Sequence, residues 1–149
     1  MLRISKKAEY GMLALQRIAQ SNETVPVKEI ADMYGISFDL LAKVLNQLAK
    51  AGLVTAYQGT QGGYLLAKKP VEITVADILH TLEGSLKITE CADTHSTSCG
   101  CTLDTLCAIK TPMQIIQEKM LQVFSSMTLS DMIQTGPAHH TFHSIHINN

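Results

Sequence analysis

The sequence has no tryptophan and few other aromatic residues, with four tyrosines and three phenylalanines in 149 positions. It also lacks any apolar run near the roughly 18 residues that a membrane-spanning helix needs. Its first residues, MLRISKKAEYG, contain no apolar stretch of the kind found in secretory signals. We therefore expect a cytoplasmic protein with no membrane association, in a compartment where structural disulfides are disfavoured.

Motifs of the common enzyme classes are missing as well. The chain has no phosphate-binding loop, no nucleophile motif, no C-x-x-C redox pair and no C-x2-C-x2-C ferredoxin spacing. These gaps argue against an enzyme and against an electron carrier. The length fits one domain, or a small domain with an appended element, and the apolar fraction of 46% suffices for a core.

Net charge is −1, but the charges are unevenly distributed along the chain. Residues 1–70 contain nine Lys and Arg against five Asp and Glu, whereas residues 71–149 contain three against eight. A basic first half favours contact with an anionic partner. Chance scatter over a solvated surface is the alternative, and charge alone does not decide between the two.

Apolar residues recur at helical spacing in three early segments. The segment at residues 5–19 has Ser5 as its N-cap, and VKEIADMY ends at Gly35, a residue suited to a left-handed C-cap. The third segment follows Ser37 and is predicted to bury one face, formed by Leu41, Val44, Leu45 and Leu48. Three short amphipathic helices are therefore expected.

The hydrophobic period then changes. LVTAY and GYLLA are short runs rich in Val, Leu and Tyr around QGTQG, which predicts a β-hairpin. TVADILHTLEG returns to helical spacing, with Thr74 as N-cap and Gly84 as the stop. Two helices joined by a tight turn and followed by a glycine-tipped hairpin predict a winged helix-turn-helix, a fold that serves DNA binding and also protein interaction.

The second helix of such a pair lies in the major groove. Its polar side, opposite the apolar face, consists of Asp39, Lys43, Asn46 and Lys50. We predict that the lysines contact phosphates, that Asn46 or Gln47 bonds base edges, and that Ser37 joins them at the helix start. Asp39 would repel phosphate unless it accepts from a cytosine amine.

The hairpin tip is the other candidate DNA contact. Gln58, Thr60 and Gln61 are placed to enter a minor groove, and the glycines around them allow close approach of the backbone. An ordinary solvated surface is the alternative interpretation for each of these residues.

A last long helix is predicted after the cysteines. Thr111 and Pro112 resemble an N-cap and first helical residue, and the helix runs to about residue 127. Apolar residues follow a heptad seam with spacings of three and four, namely Met113, Ile116, Met120, Val123 and Met127. A monomer would leave this stripe in water, so the seam predicts a homodimer. The fold class is therefore mainly α, a winged helix-turn-helix with a long C-terminal dimerisation helix.

The sequence divides into four parts. Residues 1–84 form the DNA-binding domain, 85–111 a cysteine-rich cluster-binding loop, 112–134 the dimerisation helix with a short terminal turn, and 135–149 a tail expected to be mobile. The tail histidines, His139, His140, His143 and His146, are possible metal ligands, but a mobile histidine-rich end is the preferred interpretation.

All four cysteines lie within seventeen residues, with the spacing C-x7-C-x-C-x5-C. Thiolates suit iron–sulfur clusters and zinc alike. Four thiolates satisfy a tetrahedral zinc site, although such sites usually use C-x2-C pairs. An iron–sulfur cluster, a zinc site and bare redox thiols are the three interpretations of this cysteine cluster.

Several segments together resemble the Rrf2 family of bacterial winged-helix regulators. RISKKAEYGMLAL, ISFDLLAKVLNQLAKAGLV, GTQGGYLLA, ITVADILHTLEG and a cysteine cluster occur in that family's order, over residues 1 to about 133. MLRISK, ITEC and MTLSDMI resemble most the subgroup that regulates the SUF iron–sulfur assembly operon. The resemblance implies homodimers that bind palindromic operators in double-stranded DNA, dimerise through the long helix and hold an iron–sulfur cluster in the cysteine loop.

The resemblance also implies a ligand set. Cys101 and Cys107 match the C-x5-C end of the family pattern, and Cys91, after ITE, matches the first ligand. Cys99 departs from that pattern, and either replaces Cys101 or is the fourth ligand. Glu9 is the other fourth-ligand candidate, because some relatives supply a carboxylate from this position of the partner subunit. We favour a [2Fe–2S] cluster over [4Fe–4S]; the alternatives are a nitric oxide or thiol-redox sensor, or a zinc-stabilised interaction module.

Overall fold

The computed structural model describes residues 3–88 and 107–135. The described chain contains six α-helices, one antiparallel hairpin and a 3-10 turn at Pro70–Glu72. In chain order the elements are α1 (Lys6–Ala19), α2 (Val27–Tyr34), α3 (Phe38–Lys50), β1 (Val54–Tyr57), β2 (Gly63–Leu66), α4 (Val75–Glu83), α5 (Lys110–Ser126) and α6 (Leu129–Thr135). The predicted order of three helices, a hairpin and further helices is confirmed. None of the described helices combines the length and apolar character needed to cross a bilayer.

Local signals begin and end the helices where the sequence places them. The Ser5 hydroxyl accepts a hydrogen bond from the Ala8 backbone N–H at 3.3 Å and caps α1. Gly35 ends α2 in the left-handed region, with φ of 64° and ψ of 33°, a conformation that costs glycine little. The Gly35 cap turns the chain in the short connection between α2 and α3.

The core lies between α1, α3 and α4. The four apolar residues predicted to line one face of α3, namely Leu41, Val44, Leu45 and Leu48, are all buried. A Cβ atom at Gly11 would overlap Leu82 Cδ1, so α1 and α4 cross at close approach. This packing holds α3 rigidly against the rest of the domain and leaves its opposite side exposed.

The hairpin is fastened to the loop before α2. Beyond the ladder between β1 and β2, Val25 pairs with Tyr64, through Val25 N–H to Tyr64 O at 3.0 Å and Tyr64 N–H to Val25 O at 2.9 Å. A Cβ on Gly63 would lie 2.6 Å from the Val25 carbonyl carbon. The sequence interpretation assigned close approach at Gly63 to DNA, but in the structure this glycine admits the protein's own backbone.

The start of α5 differs from the sequence prediction. The helix begins at Lys110 with Ile109 at the N-cap position, so Thr111 is not the cap and Pro112 is the third helical residue. Proline is tolerated there because the first N–H groups of a helix have no partner within it. The short terminal turn predicted at LSDMIQ is confirmed as α6.

The C-terminal end of α5 is joined to the start of α4 by paired backbone hydrogen bonds. Val75 N–H donates to Met127 O and Leu129 N–H donates to Ile73 O, both at 2.8 Å. Each of the two joined segments is followed by a helix with a similar cap. Thr74 with Asp77 begins α4, and Thr128 with Asp131 begins α6. The end of α5 and the base of the DNA-binding domain therefore form one unit.

These caps predict a loss of stability in acid. Hydrogen bonds from the Thr128 hydroxyl and backbone N–H lower the pKa of Asp131 below its usual value. A carboxylate with a lowered folded-state pKa stabilises the fold above its unfolded pKa of about 3.9, and this contribution is lost as pH falls through the folded value. Asp131→Asn should therefore lower the melting temperature at pH 7, and the difference from wild type should shrink towards pH 3. Glu118→Gln, at an exposed position of α5, is the matched control; an equal difference at both pH values would contradict the prediction.

Candidate functional site

The exposed side of α3 is a continuous polar strip. Asp39, Lys43, Asn46 and Lys50 are all exposed, opposite the buried apolar face. Asp39 lies in the first turn and Lys50 in the last, where each charge is favourable with the helix dipole. The dipole gives Asp39 a local reason to be present that does not depend on a cytosine.

Two residues of α3 are held by the protein itself. The Gln47 side-chain amide donates to the Thr81 carbonyl oxygen at 2.6 Å and is half-buried against α4. The Asn46 side-chain oxygen accepts from the Tyr64 hydroxyl at 3.3 Å, which links α3 to β2. Asn46 or Gln47 was predicted to bond base edges; the Gln47 amide faces α4 instead, because its position lies at the flank of the exposed strip. Asn46 is exposed and stays a candidate.

Ser37 and the hairpin tip offer further polar groups. Ser37 occupies the N-cap position of α3, but its side chain makes no capping hydrogen bond and is exposed. At the tip, Gln58, Thr60 and Gln61 are all exposed. The Thr24 hydroxyl donates to the Gln61 carbonyl oxygen at 2.8 Å, which fastens the tip to the loop before α2. The hairpin is therefore fastened both to this loop and, through Tyr64 and Asn46, to α3.

Most of the predicted cluster ligands lie outside the part of the chain that the structure describes. Cys91, Cys99 and Cys101, like the four tail histidines, lie outside the described residues. Cys107 is half-buried with a free thiol, and its carbonyl oxygen accepts from the Lys110 backbone N–H at the start of α5. Glu9, in the first turn of α1, is paired with the Lys6 ammonium at 2.5 Å. This hydrogen bond raises the pKa of Lys6.

The seam predicted on α5 divides into two halves. Ile116, Val123 and Met127 are 47%, 63% and 39% exposed, whereas Met113 and Met120 are half-buried. Met120 and Phe124 line an open cleft of about 460 Å³ with Leu79 and Leu86. Part of the seam therefore packs within the subunit, and the outer part leaves apolar side chains in water.

Gln117 is a residue whose role the sequence pattern did not reveal. It is 7% exposed, and among the described residues it is the only buried polar one. Its side-chain oxygen accepts from Ile88 N–H at 2.8 Å, and its amide donates to the Leu86 carbonyl oxygen. A polar residue on the apolar side of a helix was the available signal, but its partners are about thirty positions away in sequence.

Comparison with known proteins gives the same assignment as the geometry. A family model named Rrf2 and described as an iron-dependent transcriptional regulator matches residues 4–135. Two similar proteins are HTH-type transcriptional regulators NsrR. The one from Shouchella clausii is 29% identical over 134 residues, covering 89% of each chain. The one from Bacillus licheniformis is 31% identical over 134 residues, covering 89% of this chain and 92% of the relative.

Solved structures agree with this result. T. potens IscR is 34% identical with a TM-score of 0.69, covering 89% of this chain and 87% of that one. CymR (YrzC), the global cysteine regulator of B. subtilis, is 27% identical with a TM-score of 0.71, covering 92% and 100%. These relatives are transcriptional regulators rather than enzymes. The chain is a winged-helix transcriptional regulator that belongs to the Rrf2 family.

Proposed function

We propose that this chain acts as a homodimer that binds a palindromic DNA operator and senses iron–sulfur cluster status, and that it controls iron–sulfur assembly genes. One observation carries the sensing role. The chain enters the cysteine segment just after Ile88, which is hydrogen-bonded to Gln117 of α5, and leaves it at Cys107, which leads directly into α5. Both ends of the cysteine segment are therefore attached to the helix that carries the proposed dimer seam.

The donor set fits an iron–sulfur cluster. Cys107 has a free thiol and is half-buried at the start of α5, and thiolate sulfur is the usual ligand of such clusters. In this proposal Cys91, Cys101 and Cys107 hold a [2Fe–2S] cluster, with Cys99 or Glu9 as the fourth ligand. When bound, the cluster supplies one-electron redox chemistry. The family description as iron-dependent supports iron over zinc.

The exposed strip of α3 supports the DNA-binding role. Lys43 and Lys50 are free to meet phosphates because the structure places both on the exposed side of the helix. Asn46 is exposed on the same side of the helix, and its side-chain oxygen accepts from the Tyr64 hydroxyl. Lysine contacts fix the position of the protein on the duplex, whereas amide contacts with base edges discriminate between sequences.

Substitutions on this strip should separate the two kinds of contact. Lys43→Gln and Lys50→Gln should each weaken binding to all duplexes alike and reduce the slope of log K against log salt by about 1. Asn46→Ala should cost on the order of 1–3 kcal/mol at one base pair and relax the preference there. Titrations of labelled duplexes at several salt concentrations measure both effects. Gln47→Ala is the comparison variant, because the Gln47 amide is engaged with Thr81. Direct readout through Asn46 is wrong if Asn46→Ala, like Gln47→Ala, weakens binding to every sequence alike.

Gln117 should be needed for the state of the cysteine segment to change the affinity for DNA. Gln117→Met keeps the length of the side chain but leaves Ile88 N–H and Leu86 C=O without their partner. We expect the variant to bind the cluster while the ratio of operator affinities with and without cluster falls towards 1. Gln122→Met, at an exposed position of the same helix, should keep the wild-type ratio. An unchanged ratio in Gln117→Met would exclude this route.

The test of the whole proposal is an anaerobic purification followed by two measurements. The visible absorption spectrum should show the charge-transfer bands of an iron–sulfur cluster, and operator affinity should change at least tenfold when the cluster is removed, equivalent to about 1.4 kcal/mol. The similarity to CymR, a cysteine regulator, favours one other function, a thiol-based regulator. A colourless protein whose DNA affinity follows thiol oxidation would support that function, and stoichiometric zinc would support a zinc-stabilised module.

A further inference from the structure

Phe38 is a large apolar side chain left in water at the tip of α3. It is the first residue of the helix and is 53% exposed, whereas Phe124 is half-buried against the core. Full burial of such a side chain stabilises a folded protein by about 1.5–3 kcal/mol. Phe38 contributes only part of this free energy to the stability of the subunit. Its exposure leaves the ring available for a contact made outside the subunit.

The position of Phe38 selects the kind of contact. Side chains of a helix tilt towards its N-terminus, so this ring extends from the leading end of α3, the end that contacts base edges in helix-turn-helix proteins. One turn further along α3, the residue at position 42 is a small one, alanine.

Two polar neighbours, Ser37 and Lys43, are suited to the DNA backbone, whereas the Asp39 carboxylate would repel phosphate. Ser37, immediately before it, is exposed and has a hydroxyl that makes no capping bond. The next residue, Asp39, is an exposed carboxylate, and Lys43 follows one turn later. Leu40 is also exposed, at 37%, so Phe38 is the more exposed of two apolar side chains at this end of α3. An exposed ring beside polar groups fits a surface that is itself polar with isolated apolar points. In the major groove the apolar point is the C5 methyl group of thymine.

We propose that Phe38 contacts the C5 methyl group of a thymine in each operator half-site, and that it is a specificity-determining residue of this regulator. The inference rests on the proposed binding of DNA through α3. It assigns Phe38 a role distinct from those of Lys43 and Asn46, since the ring distinguishes thymine from the other bases without a hydrogen bond.

Replacement of thymine by uracil tests this contact because it removes only the methyl group and keeps the base pair. An operator is first selected with wild-type protein from random duplexes, and each thymine is then replaced in turn by deoxyuridine. Wild type should lose about fourfold in affinity at one thymine per half-site, the loss expected for one methyl-sized apolar contact. Phe38→Ala should bind the thymine and uracil operators equally, and Phe38→Leu should keep part of the difference.

Two controls make the outcome decisive. Val71→Ala removes an apolar side chain that is 60% exposed on the 3-10 turn, and it should keep the full uracil effect. Phe38→Ala should stay folded, with only a small decrease in melting temperature, because about half of the ring is already exposed. A flat uracil scan in wild type, or a loss that persists in Phe38→Ala, overturns the Phe38 contact alone. Failure to select any operator overturns both this inference and the proposed function.

Discussion

Replacing both Ile116 and Val123 with glutamate should convert the proposed dimer into monomers and reduce operator affinity at least about 100-fold. The two side chains are 47% and 63% exposed on one side of α5, so charges there disrupt an apolar interface without entering the core of the subunit. A monomer engages one half-site at a time and loses the gain from simultaneous binding, commonly 10²–10⁴-fold. Light scattering should show a change from twice 16.3 kDa to 16.3 kDa.

The choice of residues follows from the structure. Met120 belongs to the seam predicted from sequence, but it lines the cleft beside Leu86, so a charge there would also disturb the subunit. Gln122→Glu with Ser125→Glu adds the same two acidic side chains to exposed positions on another side of α5 and should leave the dimer intact. Dimerisation through this seam is wrong if the Ile116 and Val123 variant still elutes as a dimer, or if wild type is monomeric at micromolar concentration.

Replacing Cys91, Cys101 or Cys107 by serine should remove the visible chromophore completely in each case. A missing thiolate leaves iron under-coordinated, and serine is a poor replacement for soft sulfur. The melting temperature should change little, because the apolar core of the DNA-binding domain lies between α1, α3 and α4. Anaerobic absorption spectra and iron and sulfide analysis of each variant are the measurements.

Cys99 and Glu9 decide the fourth ligand. If Cys99→Ser keeps the spectrum unchanged, Cys99 is not a ligand, and Glu9→Gln should then shift the absorption bands. Glu9→Gln also removes the ion pair with Lys6, so Lys6→Gln is its control. Loss of the chromophore in none of the single cysteine variants would refute the assigned ligand set.

The parts of the fold that sequence could predict depend on neighbours within one or two helical turns. Ser5 and Thr74 were recognisable as caps because their bonds reach only three residues ahead. Gly35 was recognisable because a left-handed residue ends a helix most easily when it lacks a Cβ atom. The buried side of α3 followed from its period alone, and with it the exposed strip opposite.

The features that sequence could not predict depend on contacts made across the fold. Gln47 and Thr81 are 34 positions apart, and only the packing of α3 on α4 shows that the amide is already engaged. Gln117 likewise finds its partners at Leu86 and Ile88. The heptad spacing on α5 could not show that part of its seam packs within the subunit. An apolar stripe that packs on its own subunit and one that packs on a second subunit have the same period.

The paired bonds between Val75 and Met127, and between Leu129 and Ile73, give α5 the mechanics of a lever. Its C-terminal end is the fulcrum, since four backbone groups hold it to the DNA-binding domain. The 17 residues of the helix extend about 25 Å from there, pack on α4, are held again at Gln117, and end at the cysteine segment. A helix fixed at its C-terminal end accommodates a sideways shift of its N-terminal end by tilting. A displacement of about 2 Å at its tip corresponds to a tilt of about 5°. In a dimer joined along α5, that tilt changes the angle between the two DNA-binding domains, while each domain keeps its internal structure.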